Sequence, residues 1–378
     1  MKKYIYFDNA ATTALHPEVL EAMMPYMTEV QGNGSSIHTI GRRSKSAIEN
    51  ARKKVAALLG VSPSEIFFTS GGTESNNTVL RGGIEFLGHE HIITSPVEHH
   101  AILHPAEFFM QKGYANVHFV QLTTDGDVDL DHLAELLQSY PKALVSLMHG
   151  NNEIGNVLPV NEVRKITADA GSFFHSDMVQ TLGKLPVNLQ EIGLDAASGS
   201  AHKFHGPKGV GILYMKAGSG LGPIMHGGAQ ERNMRGGTEN VAGIVGLATA
   251  LERAITEMDQ RKAHILSLKT SLKEQLTEAI PGVTFNGASG DLDKGMYHVL
   301  NVSFPAHPDN EMMLFNLDIE GICVSGGSAC SSGTDIGSHV LTALHVPDER
   351  ANIRFSFASD NTLQEVDEVA AVISKIIK

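Results

Sequence analysis

The chain has 378 residues, 42% hydrophobic and 19% charged, which places it among ordinary globular proteins with enough sequence for two domains. Its formal net charge of −13 excludes a general nucleic-acid or anionic-membrane surface, because binding phosphate backbones needs an excess of lysine and arginine. A small anionic cofactor stays open.

The N-terminal stretch reaches Asp8 after four apolar residues and does not read as a signal peptide. No window approaches the roughly 20 apolar residues of a membrane span, so a cytoplasmic location is expected. Cys323 and Cys330 are the only cysteines, too few for a disulfide framework and without zinc-ribbon spacing. A thiol here is either inert core or chemistry.

In chain order, residues 4–7 read as a short strand, Asp8 to Thr13 as a polar turn, and Pro17 as the start of a helix carrying Val19, Leu20, Met23 and Met24. Residues 32–43 are predicted as a loop displaying His38. The next helix carries Ile48, Val55, Leu58 and Leu59 on one face and stops at Gly60. Apolar or β-branched runs at 66–69, 92–95, 117–122, 143–148, 172–175 and 210–215 then read as strands. Helical patterns near 74–87, 101–112, 129–139 and 161–170 separate most of them. Such alternation predicts an α/β domain with a mainly parallel sheet, whose ligands sit beyond the carboxyl ends of its strands.

Helical spacing from Val241 to Ile280 predicts one long helix ended by Pro281-Gly282, suited to bridging two domains. Strands at 299–304, 322–325 and 353–357 and a helix at 363–377 predict a smaller α+β domain, joined by the N-terminal segment.

Four motifs carry candidate chemistry. Thr69 to Asn77 places Gly71, Gly72 and Thr73 between a strand and a helix, either a phosphate cradle or a plain helix cap. Asp177 ends a strand, and Lys203 follows 26 residues later at the end of the next expected strand, inside Ser198-Gly199-Ser200-Ala201-His202-Lys203. Read alone, that lysine also fits a tight surface turn. An aspartate for a pyridinium nitrogen, a Schiff-base lysine and a phosphate loop are together what pyridoxal phosphate requires. His100 and His104 stand one helical turn apart, but no second cluster supplies a third ligand, so no metal site is expected. His99 is better suited to stacking on a cofactor ring. Cys330, amid glycine and serine in 324–333, is a candidate nucleophile, whereas Cys323 within a strand reads as core.

These residues together resemble the pyridoxal-phosphate cysteine desulfurases of the sulfur-donor type, within the class V aminotransferase fold. The resemblance runs from Asp8-Asn9-Ala10-Ala11-Thr12-Thr13 through Thr69 to Asn77, Met148 to Gly155, His202-Lys203, Met225 to Gly228, Arg235 to Thr238, Ser328-Ala329-Cys330 and Ile353 to Ser356. The Ser-Ala-Cys segment is similar to the branch with a long, flexible cysteine loop. The resemblance implies fold type I, with a seven-stranded, mainly parallel sheet in a large domain at 15–255. The small domain, at 1–14 and 256–378, would carry the cysteine loop.

It further implies that Lys203 holds the cofactor covalently, Asp177 pairs with its ring nitrogen, Gln180 and Asn152 lie at its ring oxygen, and His99 stacks on it. Gly72, Thr73, Ser200 and His202 would bind the phosphate, with Thr238 contributed across a homodimer. Arg354, with Asn152, would hold the substrate carboxylate. L-cysteine would yield alanine, Lys203 would move the Cα proton, Cys330 would take the sulfur as a persulfide, and His99 would handle the thiol proton. The sulfur would pass to an acceptor protein for iron-sulfur cluster, cofactor or tRNA synthesis. Selenocysteine lyase or class V aminotransferase chemistry is the alternative, although transamination needs no thiol. Met178, Gly34 and Ala358-Ser359 depart from the usual family pattern. The longer tail with which some relatives dock an iron-sulfur scaffold is expected to be absent.

Overall fold

The computed structural model describes residues 4–308, 310–326 and 337–377. β1 (Ile5–Tyr6) lies apart from the main sheet. That sheet contains β2 (Ile66–Thr69), β3 (His91–Thr94), β4 (Asn116–Phe119), β5 (Leu144–Ser146), β6 (Phe173–Asp177), β7 (Ala196–Ser200) and β8 (Gly211–Met215), in the spatial order β2-β8-β7-β6-β5-β3-β4. β3 to β7 pair in parallel, while β8 runs antiparallel to both β2 and β7.

Successive side chains on a strand point to opposite faces, and here both faces are covered. Phe68, Ile93, Val145, Ala197 and Ile212 enter one core, where α1 (Pro17–Thr28) and α2 (Thr39–Leu59) also bury residues. Their strand neighbours Phe67, Ile92, Leu144, Ala196 and Leu213 enter the other, with α3 (Gly72–Glu85) and α4 (His100–Gln111). Alternation onto two apolar layers explains why these strands read as continuous apolar runs. β7 escaped the strand list because Ala-Ala-Ser-Gly-Ser is a weak strand former. It is wholly buried and paired on both sides. β4 is correspondingly shorter and more exposed than the expected run at 117–122.

α5 (Leu130–Ser139), α6 (Val160–Asp169) and α7 (Leu189–Ile192) complete the connections on the first face. The single helix expected from Val241 to Ile280 is two helices, α8 (Val241–Thr256) and α9 (Met258–Ala279), separated at Glu257. The break has a packing cause. α8 buries Ile244, Leu247 and Leu251 in the main core, and α9 buries Ile265, Leu268, Leu272 and Leu276 in a different one. The predicted loop at 32–43 is also shorter, since His38 caps α2 by accepting the Gly41 N–H at Nδ1 (3.2 Å) and the helix starts at Thr39.

The second core is built on β9 (Thr284–Phe285), β10 (Val299–Ser303) and β12 (Asn352–Ser356), an antiparallel sheet covered by α9, α10 (Met313–Glu320) and α12 (Leu363–Ile376). β1 joins it by pairing in parallel with β11 (Ile322–Cys323), and Phe7 packs on Phe357 with ring centroids 5.0 Å apart. Cys323 is half-buried at the end of β11, not a fully enclosed core residue. α11 (His339–Ala343) follows residues 327–336. Among the described residues no helix is long and apolar enough to cross a membrane.

One buried ion pair ties helix to sheet. Arg52 of α2 donates Nη1 and Nη2 to the two carboxylate oxygens of Glu231, both at 2.8 Å, and Nη1 also reaches the Ile66 carbonyl. Glu231 in turn accepts the Phe68 N–H at 2.9 Å. Arg52→Ala leaves this carboxylate buried without its cation, so the unfolding free energy should drop by about 3–5 kcal/mol. Urea titration of both proteins checks this, with a lowered midpoint at unchanged slope as the expected result.

Candidate active site

The carboxyl ends of β5, β6 and β7 open into a cavity of about 320 Å³. Two glycines shape its rim. Gly71 lies at φ 155°, ψ −177°, a backbone region that only glycine adopts readily, and a Cβ on Gly72 would sit 2.6 Å from the Val179 side chain. The chain thereby turns sharply from β2 into α3, and Gly72 and Thr73 face Ser200 and His202 across the opening.

Asp177, at the end of β6, is 5% exposed. Its Oδ1 accepts the Val179 N–H at 2.9 Å and its Oδ2 accepts from Asn76 Nδ2 at 2.6 Å. Both donors are neutral, and no ion pair to this carboxylate is present among the described residues. Asn76 Oδ1 is buried without a partner among the described residues. Met178, the departure noted beside Asp177, points the other way and is buried in the main core. Lys203 ends the short turn after β7 and donates Nζ to the carbonyls of Ala10 (2.7 Å) and Ala11 (2.8 Å). Gln180 donates Nε2 to the same Ala10 carbonyl at 2.9 Å.

His99 is the N-cap of α4. Its Nδ1 accepts the Ala101 N–H at 3.0 Å, which leaves Nε2 to carry the proton of the neutral ring. Burial lowers its pKa below the usual histidine value, opposed by Asp177 and reinforced by Lys203. His202 is pushed down to about 4, first by burial and then by Lys203. Its Nδ1 lies 3.1 Å from the Thr12 hydroxyl. Arg354 on β12 reaches the cavity from the second core, donating Nη1 to the Asn152 carbonyl at 3.2 Å and Nη2 to Asp8 at 2.8 Å.

Lys203, Asp177, Gln180, Asn152, Gly72, Thr73, Ser200, His202, His99 and Arg354 therefore converge on one cavity. Thr238 is exposed ahead of α8 and does not line it. Cys330 lies outside the described residues. The rings of His100 and His104 stack with centroids 4.5 Å apart, and no group of three metal-ligating side chains occurs among the described residues.

Several contributors were not singled out from the sequence. Asn76 lay inside the glycine motif but had no signal of its own. His339 lines the cavity and hydrogen bonds through Nε2 to the Glu98 carbonyl at 2.9 Å. Glu98 is fully buried, and that burial raises its pKa to about 8 although Met148 N–H and Ser95 donate to it. Behind the cavity, His175 holds Ser146 and Ser198 with its two ring nitrogens at 2.9 and 3.0 Å.

A cavity that gathers a buried carboxylate with no ion pair among the described residues, a lysine amine and a glycine-lined helix start could hold a phosphorylated cofactor whose ring carries a protonated nitrogen. The aminotransferase class-V family profile matches residues 5–369. The chain is 44% identical to the cysteine desulfurase IscS of Dictyoglomus turgidum, covering 100% of this chain and 95% of that one. It is 42% identical to the cysteine desulfurase IscS of Methanosarcina thermophila, over 100% and 92%. A solved NifS-like protein superposes with a TM-score of 0.90 at 39% identity, over 99% of each chain. The chain belongs to the aminotransferase class-V family, in its cysteine desulfurase branch.

Burial pushes the His175 pKa down to about 3, far below the ordinary value of 6.5. The unfolded chain then binds a proton that the native ring refuses. This contribution to stability is whole above pH 6.5 and is lost as pH falls toward 3. Unfolding free energies measured from pH 7.5 to 4 should show His175→Gln with a shallower acid loss than the parent, by up to about 1.4 kcal/mol per pH unit.

Proposed function

We propose that the cavity binds pyridoxal phosphate through the residues it gathers, and that the protein converts L-cysteine to alanine by passing the sulfur to Cys330. The observation that carries this is the convergence of Asp177, Lys203, His99 and Arg354, from four separate parts of the chain, on one cavity. Asp177 would pair with the ring nitrogen, and Gln180 and Asn152 would lie at the ring oxygen. Gly72, Thr73, Ser200 and His202 would hold the phosphate, for which the start of α3 supplies a favourable dipole. When bound, the cofactor supplies an electron sink for charge that develops at the substrate Cα.

The chain's own residues do the rest. Arg354 and Asn152 orient the substrate carboxylate. Lys203 Nζ takes the Cα proton. His99, kept neutral at pH 7 by its lowered pKa, offers Nε2–H to the substrate thiol as a donor, and takes up the thiol proton only at Nδ1, by releasing the Ala101 N–H held there. In the net reaction the C–S bond of L-cysteine breaks, Cys330 Sγ bonds to the departing sulfur as a persulfide, and Cβ gains the proton that completes alanine. Transamination would leave Cys330 without a task.

The same proposal extends to the assembly. The two cores suggest a large domain at 15–255 and a small one at 1–14 with 256–378. Exposed Thr238 fits a contribution to the second site of a homodimer. The persulfide sulfur would go to an acceptor protein serving iron-sulfur cluster or related synthesis. A thiol that must stay reduced between turnovers suits the cytoplasm.

Supplying L-cysteine to the cofactor-loaded protein and measuring alanine and protein persulfide tests the activity. Both products should form in the parent, and absence of alanine would sink the proposal. Cys330→Ala should give neither persulfide nor stoichiometric alanine. Lys203→Ala should lose turnover by about 10³-fold while still binding cofactor, checked by its visible absorbance after dialysis.

A further inference from the structure

Arg354 is 1% exposed, and a buried guanidinium needs a compensating charge. Among the described residues it pairs with one carboxylate, Asp8, whose Oδ1 accepts Nη2–H at 2.8 Å. Nη1 is directed to the Asn152 carbonyl, and Nε is buried with no partner among the described residues. Asp8 is itself fixed. The same oxygen accepts from Ser325 Oγ at 2.8 Å, and its backbone bridges to Ser356 beside β12. The guanidinium plane is thus held from two sides in the wall of the cavity that Arg354 lines.

We propose that Asp8 is a positioning and specificity-determining residue for the substrate carboxylate, holding Arg354 in its fork orientation while offsetting its charge. The inference rests on the desulfurase function above. Two consequences of opposite sign separate the two tasks. An incoming carboxylate meets a guanidinium already shared with an anion, so removing the charge of Asp8 alone strengthens carboxylate binding. Removing the side chain altogether releases Arg354 from one of its two tethers and weakens it. A residue that merely stabilised the fold would not produce a rise and a fall from substitutions at one atom group, nor act on carboxylate ligands alone.

The test uses the cofactor-loaded full chain as parent, Asp8→Asn and Asp8→Ala. Asparagine keeps an oxygen for Arg354 and Ser325 but no charge, and it is the variant expected to fold normally. The KM for L-cysteine should fall about three- to tenfold in Asp8→Asn and rise about tenfold in Asp8→Ala, with kcat changing less than KM. The inhibition constant of 3-mercaptopropionate, which has carboxylate and thiol but no amine, should move in parallel. That of cysteamine, which lacks the carboxylate, should stay within twofold. A parent that forms alanine and an Asp8→Asn variant with unchanged constants would overturn the inference while leaving the function intact. A cysteamine constant that shifts as much as the others would overturn it as well. A parent that forms no alanine removes the function and this inference together.

Discussion

The site depends on a carboxylate that the fold takes out of water and that forms no ion pair among the described residues. Asp177 terminates a central strand, and among the described residues only an amide side chain and a backbone N–H donate to it. Burying such a charge is expensive unless it is paired. Neutral donors offset part of that cost and fix both oxygens in place. What remains unmet is a positive partner on the cavity side, which is the chemistry a protonated ring nitrogen brings. The requirement explains why Asn76, in the first turns of α3, is buried and directed at β6 rather than at solvent.

The short segment from Asp8 to Thr13 joins the cavity to the second core. Its carbonyls at Ala10 and Ala11 accept from Lys203 and Gln180, while Asn9 donates to Ser356 and Asn361. Thr13 and His202 are linked through the Thr13 hydroxyl and the His202 carbonyl at 2.9 Å. A segment with small side chains suits this task, because its backbone must approach both the lysine turn and β12 closely. The N-terminal residues therefore belong structurally with the end of the chain, through β1 pairing with β11, and chemically with the middle of it.

Much of this was legible from residue order. Asp177 was recognisable because it ends a strand of a parallel array, where ligands collect, and Lys203 because it follows in the turn just beyond the next strand, with complementary chemistry. The glycines at 71 and 72 announced a tight strand-to-helix turn. β7 was hidden by its composition, since small residues are chosen there for close backbone packing and not for β-propensity. A Cβ at Gly199 would meet the Leu182 side chain at 2.5 Å. The break at Glu257 was hidden because both helices keep apolar periodicity, and only the identity of the two cores reveals the change of partner. Asp8 read as a turn residue, since its partner Arg354 lies 346 positions away and local pattern carries no trace of such a contact.

Charge in the cavity is governed by what the surroundings refuse to ionise. His202 is driven to about 4 and His99 is lowered, in both cases chiefly by burial, and Lys203 adds to each. Near neutral pH the imidazoles are then hydrogen-bonding groups without charge. The lysine, arginine and carboxylate side chains that line the cavity are Lys203, Arg354, Asp177 and Glu153, with Asp8 behind the arginine. Were the two histidines cationic, they would compete with Lys203 for Asp177. Keeping them neutral leaves Asp177 without an imidazolium partner and leaves His99 with an Nε2–H to donate, its Nδ1 being held by the Ala101 N–H.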